Sequence, residues 1–398
     1  MTDGAPARPT LRQNLRSLPR EAWILFAGAF VNRLGSFVLP FMTLYLTGLG
    51  YRPAQAGLGL ASYGVGALLA QGVGGLLADR IGRRNAIIVS MLGGGASALS
   101  LLLVDGLWAV VGVVGLMGFL GELYRPASSA LVADLVPVQA RVAAFSAYRM
   151  MLNIGWAVGF ALGGLLFDRN PRLLFVGDAA TSFGFALVAW RALPHGVRTT
   201  KHEERHLERA RTSILRDRGF LLFLGAVFLT AVVFMQNAST FALHLNDLGY
   251  SASTYGALLA LSGVLVVALE LPVTSWTQHR RRTTMVAFGA LLVGLGFFML
   301  SLADTLPILV LMVIVWTLGQ IVESPASSAF VSDRAPEHVR GRYQGALGSM
   351  FASAAIVGPL LGTVLYDVSP DLLWIACGGV GLASAVLAIA AGRRPAPA

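Results

Sequence analysis

The chain of 398 residues is 56% hydrophobic and only 13% charged, and its mean hydropathy is +0.69. A soluble globular domain carries about 25% charged residues, so the composition excludes that class and indicates a membrane protein. The net charge of +10 does not indicate a nucleic-acid partner, because the basic residues follow the predicted topology. The lone Cys377 excludes an intramolecular disulfide and a cysteine-based metal site.

Apolar windows long enough to cross a bilayer, about 20 residues each, recur along the whole chain. They predict an all-α membrane protein with twelve transmembrane helices in two six-helix pseudo-repeats. In the first half, residues 22–192, the predicted spans are 22–46, 53–78, 85–104, 107–134, 141–167 and 173–192. In the second half, residues 219–391, they are 219–245, 252–276, 283–303, 306–333, 340–366 and 371–391. An N-terminal segment (1–21), a basic linker (193–218) and a tail (392–398) complete the chain.

Lys and Arg collect on one side of this topology. Of the 30 Lys and Arg residues, 24 lie before span 1, after even-numbered spans or in the tail, and three lie in the opposite loops. This distribution follows the positive-inside rule and predicts an integral protein of the plasma (inner) membrane with both termini cytoplasmic. The basic N-terminal segment is compatible with a short amphipathic helix on the inner leaflet and equally with a disordered tail.

The two halves also carry an internal sequence repeat. Residues 126–141 return as residues 325–340 with nine of sixteen positions identical, at an offset of 199 residues. The same offset relates Arg83 to Arg282 and Asp168 to Asp367. One offset that holds along the whole chain indicates duplication and predicts a functional site between the two copies.

Span 1 contains Asn32 and Arg33 near its midpoint. A charged side chain at that depth costs at least about 3 kcal/mol on insertion scales, so Arg33 should face a cavity and have a partner. Two interpretations stay open, a structural salt bridge between helices and a substrate-binding or proton-coupling site. Both require a carboxylate nearby.

Glycines and charged residues form a short motif between spans 2 and 3, made of Gly75, Asp79, Arg80, Gly82, Arg83 and Arg84. The motif closely resembles the signature of the major facilitator superfamily, and the predicted spans, halves and basic central loop also resemble that family. The resemblance implies a transporter in which Asp79, supported by Arg83, latches a cytoplasmic gate against the other half in the outward-open state. The second copy has Gln278 at the Asp79 position, so an asymmetric gate is expected.

Span 4 carries Glu122 and Arg125 just before Pro126. The two charges are three residues apart and share a helical face, so they form either a functional pair or a local ion pair at a structural bend. Glu122 is also the expected partner of Arg33. In span 10, Glu323 has no adjacent cation. Because burial away from water favours the protonated form of a carboxyl group, Glu323 is either a proton carrier or a hydrogen-bonded structural residue.

Span 5 holds a glycine motif that span 11 repeats in part, formed by Gly155, Gly159, Gly163, Gly164, Gly358 and Pro359. It resembles the fifth-helix motif of the family's drug exporters, with Phe160 in place of a proline. That motif is associated with antiporters, and close packing of small residues is the alternative explanation. Further polar candidates for the cavity are Arg149, Asn153, Gln236, Asn237 and Glu270. Glu270 is preferred to Asp178 as a cavity residue.

No P-loop, dinucleotide-binding pattern or zinc spacing is present in the sequence, so we expect no enzymatic site, no metal and no cofactor. The resemblance implies proton-coupled efflux of lipophilic or cationic small molecules by alternating access, driven by the proton gradient, with Glu122 or Glu323 exchanging protons. The alternative is a proton symporter that imports a small polar or anionic solute such as a peptide, with Arg33 holding an anionic group. A lipid-flipping transporter also stays open.

A third class, a non-transporting membrane receptor or scaffold, would show a large added domain or a lost gate motif, and the sequence shows neither. The expected partners are therefore a small-molecule substrate, protons and the lipid bilayer, without nucleic acid. The expected oligomeric state is a monomer.

Overall fold

The computed structural model describes residue 15 and residues 17–137, 140–194, 217–302, 305–335 and 340–393. The predicted N-terminal segment, central linker and tail lie largely outside these residues, as does the prediction of an amphipathic helix at the N-terminus. Within the described ranges the chain is helical and contains no strand.

The helices of the first half are α1 (Arg20–Gly35), α2 (Val38–Gly48), α3 (Pro53–Ile81), α4 (Arg83–Ser100), α5 (Leu107–Glu122), α6 (Tyr124–Leu135), α7 (Arg141–Arg169) and α8 (Arg172–Ala192). Those of the second half are α9 (Arg218–Phe234), α10 (Thr240–Asp247), α11 (Ala252–Thr277), α12 (Arg282–Phe298), α13 (Leu306–Arg334), α14 (Arg340–Val368) and α15 (Pro370–Gly392). Short 3₁₀ helices at Met235–Ala238 and Met299–Leu302 follow α9 and α12. Four pairs of helices begin 199 residues apart, which is the offset of the sequence repeat. The pairs are α3 and α11, α4 and α12, α5 and α13, and α7 and α14.

Eleven helical segments of the described chain are long and apolar enough to cross a membrane. They confirm a membrane-spanning helical bundle, and they match the predicted spans except span 3. That span corresponds to α4, which has 18 residues and begins with Arg83, Arg84 and Asn85. Its polar first turn and the glycines at positions 93–95 lower its hydropathy, so a count of twelve spans stays a prediction.

The span formed by α5 and α6 is interrupted between Glu122 and Tyr124, where Pro126 removes one helical hydrogen bond and the Ser90 hydroxyl of α4 replaces another. A proline lacks the N–H that would bond to the carbonyl four residues earlier, that of Glu122, and its ring collides with that carbonyl. The Ser90 hydroxyl on α4 inserts between a second pair of backbone groups, because it donates to the carbonyl of Leu120 (2.6 Å) and accepts from the N–H of Tyr124 (3.0 Å). The interruption therefore leaves Glu122 at a helix end inside the bundle.

The two halves pack tightly at one end of the bundle, which we call the distal end, where the loops at 49–52, 170–171 and 248–251 lie. A single apolar cluster there contains residues of both halves. Phe41 meets Tyr255 edge-on at 5.1 Å, the Tyr255 hydroxyl donates to the carbonyl of Pro40 (3.2 Å), and Thr43 donates to that of Ser239 (2.9 Å).

At the opposite end, where the described part of the chain begins and ends and which we call the terminal end, the core divides. One apolar cluster lies within the first half and another within the second. No apolar cluster of the described residues joins the halves there. The space between the halves is thus closed at the distal end and opens toward the terminal end.

Candidate functional site

A buried carboxylate beneath a partly exposed cation lies where α5 meets α6. Glu122 is 6% exposed, and its Oε1 accepts a hydrogen bond from the Tyr63 hydroxyl of α3 at 2.9 Å. Arg125 forms an ion pair with the same carboxylate, as the spacing predicts, while 47% of its own side chain stays exposed. Any event that neutralises Glu122 would therefore leave an unpaired positive charge at this surface.

Arg33 lies in a cavity inside the first half, together with Glu122 and Tyr63. It is 6% exposed, and its charge interacts electrostatically with that of Glu122, the partner that the sequence predicts. The guanidinium carbon is 5.1 Å from the centre of the Trp156 ring and 5.7 Å from that of Tyr124, so two aromatic faces also stabilise the cation.

The same cavity holds a second carboxylate, Asp178 of α8, which is 8% exposed. Arg33 interacts electrostatically with this group as well. Beside it, the amide of Asn32 donates to the Ser182 hydroxyl at 3.1 Å and joins α1 to α8. The cavity is therefore a polar compartment with two acids and one arginine, enclosed by helices of the first half alone.

The candidate residues of the second half make different contacts. Glu323 is buried and accepts a hydrogen bond from Ser327 at 2.8 Å. A methyl group added at Gly289 of α12 would lie 2.6 Å from the Glu323 Cβ, so Glu323 packs directly against α12. The side chain of Gln236 binds backbone carbonyls at Val232 (3.0 Å) and Gly358 (2.9 Å) and bridges α9 to α14.

Gln236 also accepts hydrogen bonds from Ser239 (3.2 Å) and Thr240 (2.9 Å), so both ends of its amide stabilise the interrupted helix. The backbone carbonyl of Asn237 accepts from Tyr255 at 2.8 Å, and its side chain is half-buried. Gln236 and Asn237 therefore stabilise the junction between α9 and α10.

Arg149 and Glu270 meet across the two halves. Their ion pair, 2.6 Å long, joins α7 to α11 on the side toward the terminal end, and 67% of the Arg149 side chain is exposed. Asn153, one turn further along α7, is half-buried. The structure thus brings together two residues that the sequence identified separately.

The glycine motif of α7 is a packing surface. A methyl group on Gly159 would lie 3.0 Å from the carbonyl oxygen of Arg33, and one on Gly163 would lie 2.7 Å from the Cβ of Phe37. Gly155 faces Arg33 in the same way, whereas Gly164 faces α11 across the halves. In span 11, Gly358 meets Met235, and the carbonyl of Pro359 accepts from Thr363 at 2.7 Å. Close packing of these small residues is confirmed.

The gate motif lies at the terminal end between α3 and α4. Gly82 has a φ of 91° and ends α3, while Asp79 and Arg80 are exposed and Gly75 and Arg84 are half-buried. Arg83 interacts electrostatically with Asp79 and forms an ion pair with Asp134. At the repeat positions, Arg282 and Asp333 form the same pair at 3.5 Å. The contact of Asp79 with the other half belongs to a closed terminal end and stays a prediction.

A carboxylate closes the distal end. Asp168, at the end of α7, accepts hydrogen bonds from the backbone N–H groups of Ala252 (3.0 Å) and Ser253 (2.9 Å) and from the Ser253 hydroxyl. These are the first residues of α11, and the positive end of a helix dipole favours a negative charge there. Asp168 therefore fastens the first half to the second.

Three functional candidates were missed or undervalued in the sequence. Asp178 was ranked below Glu270, because a lone carboxylate in a span gives no sign of which face it occupies. Tyr63 has no sequence signal at all. Asp168 was noticed only as a repeat match, since its partner is a helix start in the other half.

The sequence matches the model of a known protein family and several curated relatives. The model of the Major Facilitator Superfamily matches residues 25–359 and 246–398. Among the curated relatives, the Na(+), Li(+), K(+)/H(+) antiporter of Planococcus maritimus is 27% identical and covers 83% of this chain and 86% of its own. Multidrug resistance protein MdtH of Edwardsiella ictaluri is 26% identical, over 89% and 90% of the two chains. YqjV of Bacillus subtilis, an uncharacterized MFS-type transporter, is 24% identical over 87% and 86%.

Solved structures agree on the fold. The nucleoside transporter NupG has a TM-score of 0.80 and 16% sequence identity, over 95% of this chain and all of its own. The peptide transporter POT in complex with sulfate has a TM-score of 0.77 and 18% identity, over 96% and 97% of the two chains. At these identities the comparison concerns architecture alone.

Proposed function

Because the chain belongs to the Major Facilitator Superfamily, we propose that it exports lipophilic or cationic small molecules in exchange for protons by alternating access. Transport rather than catalysis is the activity of the family and of the relatives. Two relatives, at 26–27% identity, are a multidrug resistance protein and a cation/proton antiporter. With cytoplasmic termini in the plasma membrane, the present form is open to the cytoplasm and closed to the outside.

The observation that carries the proposal is the pairing of buried Glu122 with partly exposed Arg125. While Glu122 is ionised, the pair is neutral and does not repel a cationic cargo. When a proton binds Glu122, the charge of Arg125 is no longer balanced. The site then repels a cation, so proton binding from outside displaces the cargo.

Glu122 suits this role better than Glu323. Glu122 lines a polar cavity and has a cation as its partner, whereas Glu323 packs against α12 and accepts a hydrogen bond from Ser327. A proton on Glu323 would change no ion pair among the described residues. Energy coupling through Glu122 needs no bound cofactor, and one chain is sufficient for it.

A second function uses the same device with the opposite cargo. If the cargo is a small anionic solute such as a peptide, a proton on Glu122 frees Arg125 to bind it, and the two travel together as a symporter. The exposed side chains of Arg125 and Arg149 favour this alternative. The sign of the cargo's charge therefore decides between antiport and symport.

The test is transport into proteoliposomes under an imposed pH gradient, comparing ethidium, a lipophilic cation, with an acidic dipeptide. Ethidium moving against the proton flow supports the antiporter, and dipeptide moving with the protons supports the symporter. Empty liposomes and the Glu122→Gln variant are the controls. Equal pH-driven transport by the wild type and Glu122→Gln would contradict both mechanisms.

A further inference from the structure

The proposed function leaves one question about the proton, which is how it reaches a carboxylate buried inside the first half. Glu122 is at the last residue of α5, fifteen residues from the distal start of that helix. The distal end is closed between the halves by the apolar cluster and by the Asp168 contact. A proton arriving from that side needs a route that does not depend on the space between the halves.

The cavity of the first half places two acids at different distances from the distal end. Asp178 lines it together with Glu122 and lies only six residues from the distal start of α8, so it is the acid nearer the distal end. Hydroxyl and amide groups line the cavity around the two acids, namely Asn32, Ser36, Tyr63 and Ser182. Such groups, with water between them, can relay a proton.

The charged and titratable groups that face Asp178 are few. Arg33 faces it from α1 and Glu122 from α5, and the hydroxyls of Tyr63 and Tyr124 line the same cavity from α3 and α6. The residues of α4 in the cavity wall carry no charge. Because the two acids repel each other when both are ionised, a proton on one of them favours the ionised state of the other.

The fold itself does not require these groups. At the repeat positions in the second half, 199 residues later, the counterparts of Arg33, Asp178 and Ser182 are Val232, Cys377 and Gly381. The same helices pack there around apolar and small side chains, with Cys377 buried. An acid at position 178 thus serves something other than helix packing.

We propose that Asp178 is the proton-entry residue of the transporter. It takes a proton from the distal side and passes it, through the hydroxyl groups and water of the cavity, to Glu122, which then releases Arg125. The proton path runs inside the first half, while the cargo path runs between the halves. This inference rests on the proposed function and adds to it a residue and a route.

The test compares Asp178→Asn with its repeat counterpart, Cys377→Ser, in proteoliposomes loaded with ethidium. Two rates are measured, pH-driven transport and ethidium exchange at equal pH, which needs no net proton movement. Asp178→Asn is expected to lower pH-driven transport at least about tenfold and to keep exchange within about twofold. Cys377→Ser is expected to keep both rates.

Asp178→Glu, which keeps the carboxylate, is the rescue variant and also serves if Asp178→Asn does not fold. It is expected to restore pH-driven transport with a shifted pH of half-maximal rate, which a purely structural residue would not shift. Loss of exchange in Asp178→Asn, or a wild-type pH profile in Asp178→Glu, would overturn the inference. If Glu122→Gln loses pH-driven transport while Asp178→Asn retains it, the proposed function stands and Asp178 is not the entry residue. If Glu122→Gln retains pH-driven transport, the proposed function itself is wrong.

Discussion

The two halves of the molecule share one architecture and differ in what lies inside it. The charged positions Arg33, Glu122 and Asp178 of the first half correspond to Val232, Ile321 and Cys377 in the second. Ser182 corresponds to Gly381, and Tyr63 corresponds to the smaller Ser262. Because the second half forms corresponding spans without these charged residues, they are not needed to form the bundle. Under the proposed function, the first half would couple the proton and the second would supply the opposing wall.

The fourth spans show how one sequence element gives two structures. Both copies carry a proline, Pro126 in one and Pro325 in the other, yet α13 continues through its proline and the span of α5 and α6 does not. Ser90 satisfies the open backbone in the first copy, whereas Gly289 at the same repeat position packs onto Glu323 in the second. The Ser90 hydroxyl is present where the span breaks and leaves Glu122 facing a cavity. At the repeat position, Gly289 has no hydroxyl and α13 is continuous.

The difference between the two halves can be tested most directly by neutralising each buried acid in turn. Glu122→Gln keeps a hydrogen-bonding group for Tyr63 and removes the exchangeable proton, so pH-driven transport should fall to background. Glu323→Gln should keep it within about threefold, since Glu323 accepts from Ser327 and forms no ion pair with another described residue. Proteoliposome transport under a pH gradient measures both. A loss in Glu323→Gln equal to that in Glu122→Gln would show that coupling is shared by the halves.

Stability gives the next largest effect. Arg33→Val places the residue of the second half into the first and leaves buried Asp178 without the cation that faces it, which should cost about 3 kcal/mol. Arg33→Val combined with Asp178→Cys copies the second half at both positions and removes one uncompensated acid, so part of the loss should be recovered. Thermal unfolding in detergent, with Val232→Ala as the apolar control, measures both. Additive losses in the double variant would mean that Arg33 does not stabilise Asp178.

Much of this could be predicted from the sequence, for physical reasons. Bilayer crossing requires long apolar helices, so the spans were visible, and the offset of 199 residues gave the repeat. Arg33 and Glu122 were identifiable because charge at membrane depth is costly. Span 3 was the weak point, since the arginines and glycines of α4 make its sequence resemble a marginal span.

The sequence could not show which way individual side chains point within the bundle. The hydropathy of a span does not tell which face of it a lone acid occupies, so Asp178 could not be assigned to the cavity of Arg33. Nor could Glu323 be directed toward α12, since that depends on the absence of a side chain at Gly289 in another helix. The cross-half pair of Arg149 and Glu270 depends on how far α7 and α11 stay together, which only the assembled bundle shows.

The contact that closes the distal end also differs between the two halves, because only the first repeat copy has a matching helix start to bind. Asp367 corresponds to Asp168, but the helix start that it would face begins with Pro53, which has no N–H, and Ala54, which has no hydroxyl. Asp168→Ala should therefore shift the equilibrium toward the distal-open form by about tenfold, and Asp367→Ala should leave it unchanged. Distances between spin labels at exposed Leu103 and Leu302, in a Cys377→Ser background, report the two populations. Equal shifts in the two variants would disprove the asymmetry.

The smallest effect should come from Arg149 and Glu270, which lie on the same seam between α7 and α11 as the Asp168 contact. An ion pair this exposed contributes about 0.2–1 kcal/mol, a change of fivefold or less in an equilibrium. Closure of the terminal end would bury the pair further and strengthen it, so breaking it should favour the present distal-closed form, opposite in sign to Asp168→Ala.

The spin-label distances used for Asp168 can test this sign. Arg149→Ala and Glu270→Ala should each shift the populations slightly toward the distal-closed form, and the double variant should shift them no further, because either single variant already removes the pair. A shift toward the distal-open form would mean that the pair holds the two halves in the present form. The α7 and α11 seam would then resist opening along its whole length, and the switch would have to start at the other seam, between α3 and α14, where Gly57 and Gly64 pack against the second half.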